Sequence, residues 1–344
     1  MNAKHLLRKN VAQFLFKLGF TTPKRCSTGR LTIVTFHRVL PQIELQAYPF
    51  PGLAVTPEEL DEFLTYFTQH FNCGTLAAQH EQYVSRKKTV LPLLAITFDD
   101  AQLDNYKYAA PILAKHNVKA SFFAPVSAIK EKQLLWHDKL GFAILTLSNQ
   151  SGNGQTRLMQ ILDEAGLAIN KLSESLVSDI VMASKTLSLN ARLRLVSLLT
   201  EASSETSTPE FARLMSFEEL ATLAANGHEI GSHSMTHCMM PECDDPSLMY
   251  ELNESRQVLQ AQVNQPIDSF CYPNGNADVR TALAVQNAGY HRAVTTDWGS
   301  NELKTDPFRL DRYDIVSRHI QDFNGVFIPA LLAFRMSGYY PGLG

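Results

Sequence analysis

The sequence carries no excess charge of either sign, no long apolar run and no regular array of cysteines, and each absence removes a class of protein. With 31 basic and 34 acidic residues, the formal net charge of −3 leaves no electrostatic footprint for nucleic acid and no polybasic membrane address. No stretch of about 18 apolar residues occurs, so nothing is expected to span a bilayer. Five cysteines (Cys26, Cys73, Cys238, Cys243, Cys271) are odd in number and scattered, which does not make a disulfide framework and fits a reducing compartment. Cys238 and Cys243 flank a histidine motif but lack the second pair that zinc spacing wants. In Met1 to Phe20 the apolar stretch is too short for a signal-peptide core, and no small-residue cleavage site follows. Residues 1–30 are therefore expected to form an N-terminal helical segment that packs on the domain, with peripheral attachment to a membrane face as the second reading. The missing export signal places the expected location in the cytoplasm, with peripheral contact at the inner membrane.

What is present is a globular composition, 344 residues with 45% apolar and 19% charged, long enough for one large or two modest domains. Leu31 to Phe36 and Leu93 to Phe98 read as buried strands, and Val118 to Ala124 as another. Thr56-Pro57-Glu58-Glu59 and Ser216-Phe217-Glu218-Glu219 are capping boxes that open helices. A helix is expected over Pro246 to Val263, then strands near Ile267 to Tyr272 and Arg292 to Thr296 with a helix over Arg280 to Ala288 between them. The alternation predicts an α/β fold with a parallel sheet, and at six or more strands a (β/α) barrel, closed or distorted. From about 128 to 210 the pattern is helical only (134–147, 156–172, 174–187, 190–201), with an expected flexible exit at 203–209. This reads as an all-helical insertion in a domain running from 31 to 344. Trp136-His137-Asp138 at its entry reads as an exposed helix start, with a rim position over the site as the alternative.

The strand Leu94-Ala95-Ile96-Thr97-Phe98 ends in two adjacent acids, Asp99 and Asp100. Successive side chains on a strand face opposite ways, so both can serve one site only if the chain turns there. Alone, such a pair is a helix cap and a solvated charge. His233 and His237 change that reading: at a spacing of four they converge on one ion if they share a helical turn. Two imidazoles and one carboxylate make a three-ligand site with an open position, and the second carboxylate can take a proton from an activated water. On these grounds either acid fills either role.

Thr97-Phe98-Asp99-Asp100, His233-Ser234-Met235-Thr236-His237 after Gly-His-Glu-Ile-Gly, and Tyr272-Pro273-Asn274-Gly275 together resemble the polysaccharide deacetylase family, the NodB-homology or carbohydrate esterase family 4 domains. The resemblance spans most of residues 31–320 and implies a distorted (β/α) barrel of the NodB type. It implies Asp99 as general base and Asp100, His233 and His237 as ligands of a divalent metal, zinc first, with Co, Mn or Ni as alternatives. The backbone N–H of Asn274 aligns with the family's oxyanion-stabilising amide. Glycine usually follows the two acids, where Ala101 stands here. The third motif commonly reads Arg-Pro-Pro-Tyr-Gly; Cys271 stands where that base-steadying arginine would be, and Arg309 and Arg312 are the candidate substitutes. Asp297-Trp298 is half of another family motif, and neither residue is assigned a catalytic role. His319 matches the late acid-histidine motif poorly. Phe36-His37-Arg38-Val39 instead matches the permuted, exopolysaccharide-type branch, which makes His37 the expected general acid. The expected reaction is removal of an acetyl group, N-linked first, from a sugar of a surface polysaccharide or its lipid- or nucleotide-linked precursor. The competing reading is a carbohydrate-binding protein on the same fold that has lost catalysis.

Overall fold

The computed structural model describes residues 3–150, 152–167, 175–203, 209–317, 320–322 and 325–339, with side chains from Leu6 onward. The chain divides into two compact units: Met1–Pro41, Gly52–Glu131 and Met215–Gly344 form the first, and Gln42–Pro51 with Lys132–Leu214 form the second. Among the described residues no helix is long and apolar enough to cross a membrane.

The first unit is a closed barrel of seven parallel strands: β1 Leu31–Phe36, β2 Leu93–Phe98, β3 Ser121–Ala124, β4 Glu229–Ser232, β5 Ser269–Cys271, β6 Arg292–Trp298 and β7 Leu310–Asp314. They run β1-β2-β3-β4-β5-β6-β7 and close where β7 pairs β1; a short strand at Asn72–Gly74 flanks the first half of β2. β1 and β2 pair in register from Leu31↔Leu93 to Phe36↔Phe98. Strands of a helix-wrapped barrel are covered on both faces, which is why β1 and β2 are buried at every position and read as unbroken apolar runs.

Alternation sorts these side chains into layers. Leu31, Ile33, Leu93, Ala95, Leu310, Val294 and Cys271 share one apolar cluster. Two residues further along, the same face of β1, β2 and β7 carries Thr35, Thr97 and Arg312, and one step beyond Thr97 comes Asp99. The other face carries Phe36, Phe98 and Phe122, whose rings stack at 5.4 and 5.0 Å between centroids, with Phe63 of the helix Pro57–His70 against Phe36. Each such pair adds about 0.5–1.5 kcal/mol beyond burial. Along β1, β2 and β7 the barrel interior is thus apolar at first, and polarity begins at these strands' C-terminal ends.

Both capping boxes are formed, at Thr56 with Glu59 and at Ser216 with Glu219. The second unit is helical, with helices Trp136–Asn149, Gly154–Glu164, Leu176–Ser184 and Leu189–Ala202. Beside Lys132–Leu214 it takes in Gln42–Pro51, whose Tyr48 hydroxyl donates to Asp138 at 3.2 Å and whose Phe50 packs edge-on to His137. Asp138 is fully buried, so it is not an exposed helix start. The helices expected at 156–172 and 174–187 are shorter than the pattern suggested, and residues 168–174 and 204–208 lie outside the described residues.

Candidate active site

The chain turns just after β2. Asp99 continues the inward face and donates its backbone N–H to the Phe36 carbonyl at 3.0 Å, while Asp100 and Ala101 adopt left-handed conformations, φ +71° and +50°. Non-glycine residues held there cost about 1–3 kcal/mol each. The Ala101 carbonyl accepts from the Met215 N–H at 2.8 Å, which helps pin the turn without glycine. The two acids consequently point to different partners.

Asp100 faces the histidines: one carboxylate oxygen lies 3.4 Å from His233 Nε2 and 3.1 Å from His237 Nε2, and all three side chains are buried. The two histidines do not sit on a helical turn as their spacing suggested. β4 ends at Ser232, and the chain continues as a loop in which Ser234 and His237 take φ +64° and +58°. Those two reversals, with the His237 N–H donating to Ser234 Oγ at 2.9 Å, bring the rings to 4.8 Å between centroids. His233 Nδ1 lies 2.7 Å from the Cys271 carbonyl on β5. A carbonyl only accepts, so Nδ1 carries the proton there and leaves Nε2 with the lone pair.

Asp99 is held from across the barrel. Arg312 grips it bidentately, Nη1 to Oδ1 and Nη2 to Oδ2, both at 2.8 Å. The same guanidinium donates to the Thr295 carbonyl and to the hydroxyls of Thr35 and Thr97, so its fork is fixed on every side. Burial alone would raise the Asp99 pKa, but the charge and hydrogen bonds of Arg312 outweigh it and hold the carboxyl below its ordinary range. His37, following β1, places Nε2 3.8 Å from Asp99 Oδ2 and keeps its side chain partly open to solvent.

A family model described as polysaccharide deacetylase matches residues 86–170 and 197–293, more than half the chain. The chain belongs to the polysaccharide deacetylase family. No curated protein matches it. Among solved structures it is similar to the Streptococcus pyogenes deacetylase PplD in complex with acetate, at 15% identity over 89% of this chain and 98% of that one with TM-score 0.58. It is likewise similar to IcaB from Ammonifex degensii, at 15% identity over 90% and 97% with TM-score 0.54. A third is the Bacillus cereus polysaccharide deacetylase BC0361, at 14% identity over 89% and 68% with TM-score 0.54. At such identities the likeness is one of fold.

Within this polysaccharide deacetylase the third-motif departure has a physical counterpart. Where the motif's arginine would stand, Cys271 is buried, and Arg312 reaches in from β7 with Nη2 3.4 Å from its sulfur. A short side chain on β5 is matched by a long one on β7. Arg309, the other candidate, is three residues earlier, just before that strand begins, where its charge acts on Asp311 and Tyr272 instead. Asn274 follows β5 with φ +59°, and Gly275 takes φ +74°, where a Cβ would lie 1.9 Å from Thr296 Oγ1. Only glycine fits there, and it fixes the backbone of Asn274 beside it. Trp298 packs edge-on to Tyr313 and under Arg335 at 4.0 Å, a packing role for the half-motif. His319 lies outside the described residues.

Three residues of the site went unread in the sequence. Glu251, on the helix Asp245–Val263, accepts from the backbone N–H of Met235 and Thr236 and from the Thr236 hydroxyl, so one buried carboxylate clamps the loop between the two histidines. Asp104 accepts from the Val39 N–H and from Arg38 Nε, and the Asn105 side-chain amide donates to the His37 carbonyl at 3.0 Å. The loop after the two acids thereby holds the loop that carries His37. The Asp-x-x-x-Asp-Asn spacing from Asp100 was the available signal. Cys238 and Cys243 place their sulfurs 3.2 Å apart as free thiols just after His237.

Proposed function

We propose that this chain is a metal-dependent deacetylase that removes an N-acetyl group from a sugar of a bacterial polysaccharide or of its lipid- or nucleotide-linked precursor. The observation that carries the reading is the division of labour at one barrel mouth: Asp100 turned onto two imidazoles, Asp99 gripped by an arginine, and His37 3.8 Å from Asp99.

The donor set suits a divalent ion. Asp100, His233 and His237 offer one oxygen and two nitrogens within 4.8 Å of one another, and the Cys271 carbonyl fixes the His233 tautomer that leaves Nε2 available. A bound divalent metal would lower the pKa of an attacking water and polarise the acetyl carbonyl. Asp99 accepts the proton of that water, its orientation set by the Arg312 fork. The backbone N–H of Asn274 donates to the carbonyl oxygen as charge develops there. His37 gives a proton to the sugar nitrogen, which is otherwise a poor leaving group. Family membership supports deacetylation, and the Streptococcus pyogenes neighbour is described with acetate, the product this reaction releases.

The test is acetate release from N-acetylhexosamine oligomers by metal-stripped enzyme given Zn, Co, Mn or Ni. Release is expected to return with metal and to vanish in His233→Ala; release unchanged by His233→Ala or Asp99→Asn would sink the proposal.

A further inference from the structure

The N-terminal helix Ala3–Lys17 packs on the helix Pro329–Arg335, with Ala12 fully buried. A helix that only packs on its own domain turns polar side chains outward. This one does the reverse. Leu7, Val11, Phe14 and Leu18 are 66%, 39%, 62% and 53% exposed. At 100° per residue their spacing of four, three and four puts them within one sector of about 60°. The turn holding Leu18 continues the helix, since its N–H donates to the Phe14 carbonyl at 3.1 Å. Phe20, 39% exposed, extends the patch.

Charge selects the partner. Residues 1–43 contain eight lysines and arginines and no Asp or Glu, although the rest of the chain holds 23 basic residues against 34 acidic ones. Lys9, Arg30 and Arg38 are spent on Asp322, Glu302 and Asp104. Lys17, Lys24 and Arg25 remain exposed around Leu18 and Phe20, with the Arg25 guanidinium 4.6 Å over the Phe20 ring. A second copy of the chain would set these cations against themselves, and a seam of four residues is short for a coiled coil. An apolar stripe beside cations without anions is the composition of a helix lying in an anionic lipid interface.

We propose that the exposed face of this helix docks the protein onto an anionic membrane surface, with Leu7, Val11, Phe14 and Leu18 entering the interface and Lys17, Lys24 and Arg25 meeting the headgroups. This goes beyond the catalytic reading and stands independently of it.

Co-sedimentation of the full chain with phosphatidylcholine vesicles, with and without one quarter phosphatidylglycerol, tests it. The full chain is expected to pellet with the anionic vesicles, to lose binding as salt rises from 50 to about 300 mM, and to bind neutral vesicles weakly. Leu7→Glu with Phe14→Glu is expected to weaken binding more than about tenfold, and Lys17→Glu with Lys24→Glu to remove the preference for anionic lipid. All four positions are exposed, so circular dichroism and acetate release from a soluble substrate should not change. Failure to bind, equal binding to neutral vesicles, or binding indifferent to Leu7→Glu with Phe14→Glu overturns the proposal. So does a concentration-dependent dimer that this variant dissociates, because the face then serves a second copy.

Discussion

The barrel buries an arginine and a carboxylate at each end, and the two pairs differ in what they leave over. At the floor, Glu229 begins β4 and Arg292 begins β6; they lie 3.8 Å apart and communicate through the Ser269 hydroxyl, which accepts from Arg292 and donates to Glu229. Glu229 also accepts from the Ser121 hydroxyl and from the Ala77 N–H in the first turn of the helix Leu76–Val84. These three hydrogen bonds tie two strands and a helix to Glu229. At the mouth, Asp99 takes both prongs of Arg312, yet its Oδ2 also faces His37 across 3.8 Å, too long for a hydrogen bond. The floor carboxylate faces only groups that hold strands and a helix, whereas Asp99 keeps one further direction open toward a partly exposed imidazole.

The comparison breaks if the two carboxylates behave alike. Asp99→Asn is expected to lower kcat by about 10²–10⁴-fold, the usual contribution of a positioned proton acceptor. Glu229→Gln is expected to destabilise the fold by about 3–5 kcal/mol, since it strands a buried arginine. Its kcat per folded molecule should stay near that of the parent protein. Denaturant titrations alongside acetate release, both well below the melting temperature, separate the two. A Glu229→Gln enzyme that folds normally but turns over as slowly as Asp99→Asn would make the floor part of the reaction.

The open direction at Asp99 can be sharpened through the leaving group. His37→Gln should cost about 10²-fold on an N-acetyl sugar, whose nitrogen must be protonated to depart. On an aryl acetate ester, whose phenolate leaves unaided, the same variant should fall within a few-fold of the parent. Equal losses on both substrates would assign His37 to binding or to the fold instead.

Glu251 tests how far the mouth depends on support from outside the barrel strands. Replacing it by Gln removes a charged acceptor from two backbone N–H groups and a hydroxyl in the histidine loop. Zinc affinity, measured by competition with a chelating dye, is expected to weaken about 10–100-fold, as for other residues that orient metal ligands at one remove. Affinity unchanged within twofold would mean that Ser234 and the Cys271 carbonyl alone fix the loop.

How much of this was legible in the sequence follows from the range of each interaction. The strand runs, the capping boxes and the turn demanded between Asp99 and Asp100 are local, and their patterns survive in the chain. So does the barrel, because all-parallel strands buried on both faces must read as short apolar runs separated by helices. His233 and His237 do converge, but not through the backbone their spacing suggested. A spacing of four fits a helical turn, but Ser234 and His237 reach the same convergence through positive φ, which no spacing reveals. Arg312 could be named only as one of two arginines, since the choice depends on strand alternation measured from the apolar layer below it. Glu251 had no signal, because its partners are backbone N–H groups on a loop 15 and 16 residues earlier.

The smallest expected effect separates floor from mouth by acidity. His228, just before β4, is buried with Nδ1 accepting the Ala120 N–H at 3.2 Å, so the folded protein holds it neutral, and burial pushes its pKa down from 6.5 to about 4. His80 is depressed to about 4 in the same way, by burial and then by the nearby charge of Arg292. For such a group the unfolded chain takes up the proton first. Its contribution to stability is therefore complete above pH 6.5 and is lost as the pH falls toward 4. The loss proceeds at no more than about 1.4 kcal/mol per pH unit per proton. Asp99 acts in the same direction but lower, because its folded pKa lies below the ordinary 3.8 and its stabilisation is lost only as the pH drops through that depressed value. In metal-stripped protein, denaturation midpoints should consequently decline between pH 7 and 5 in the parent and decline less in His228→Asn, with the steeper loss below pH 4 kept in both. A decline of equal slope in the two proteins would move the first acid-sensitive group away from the floor.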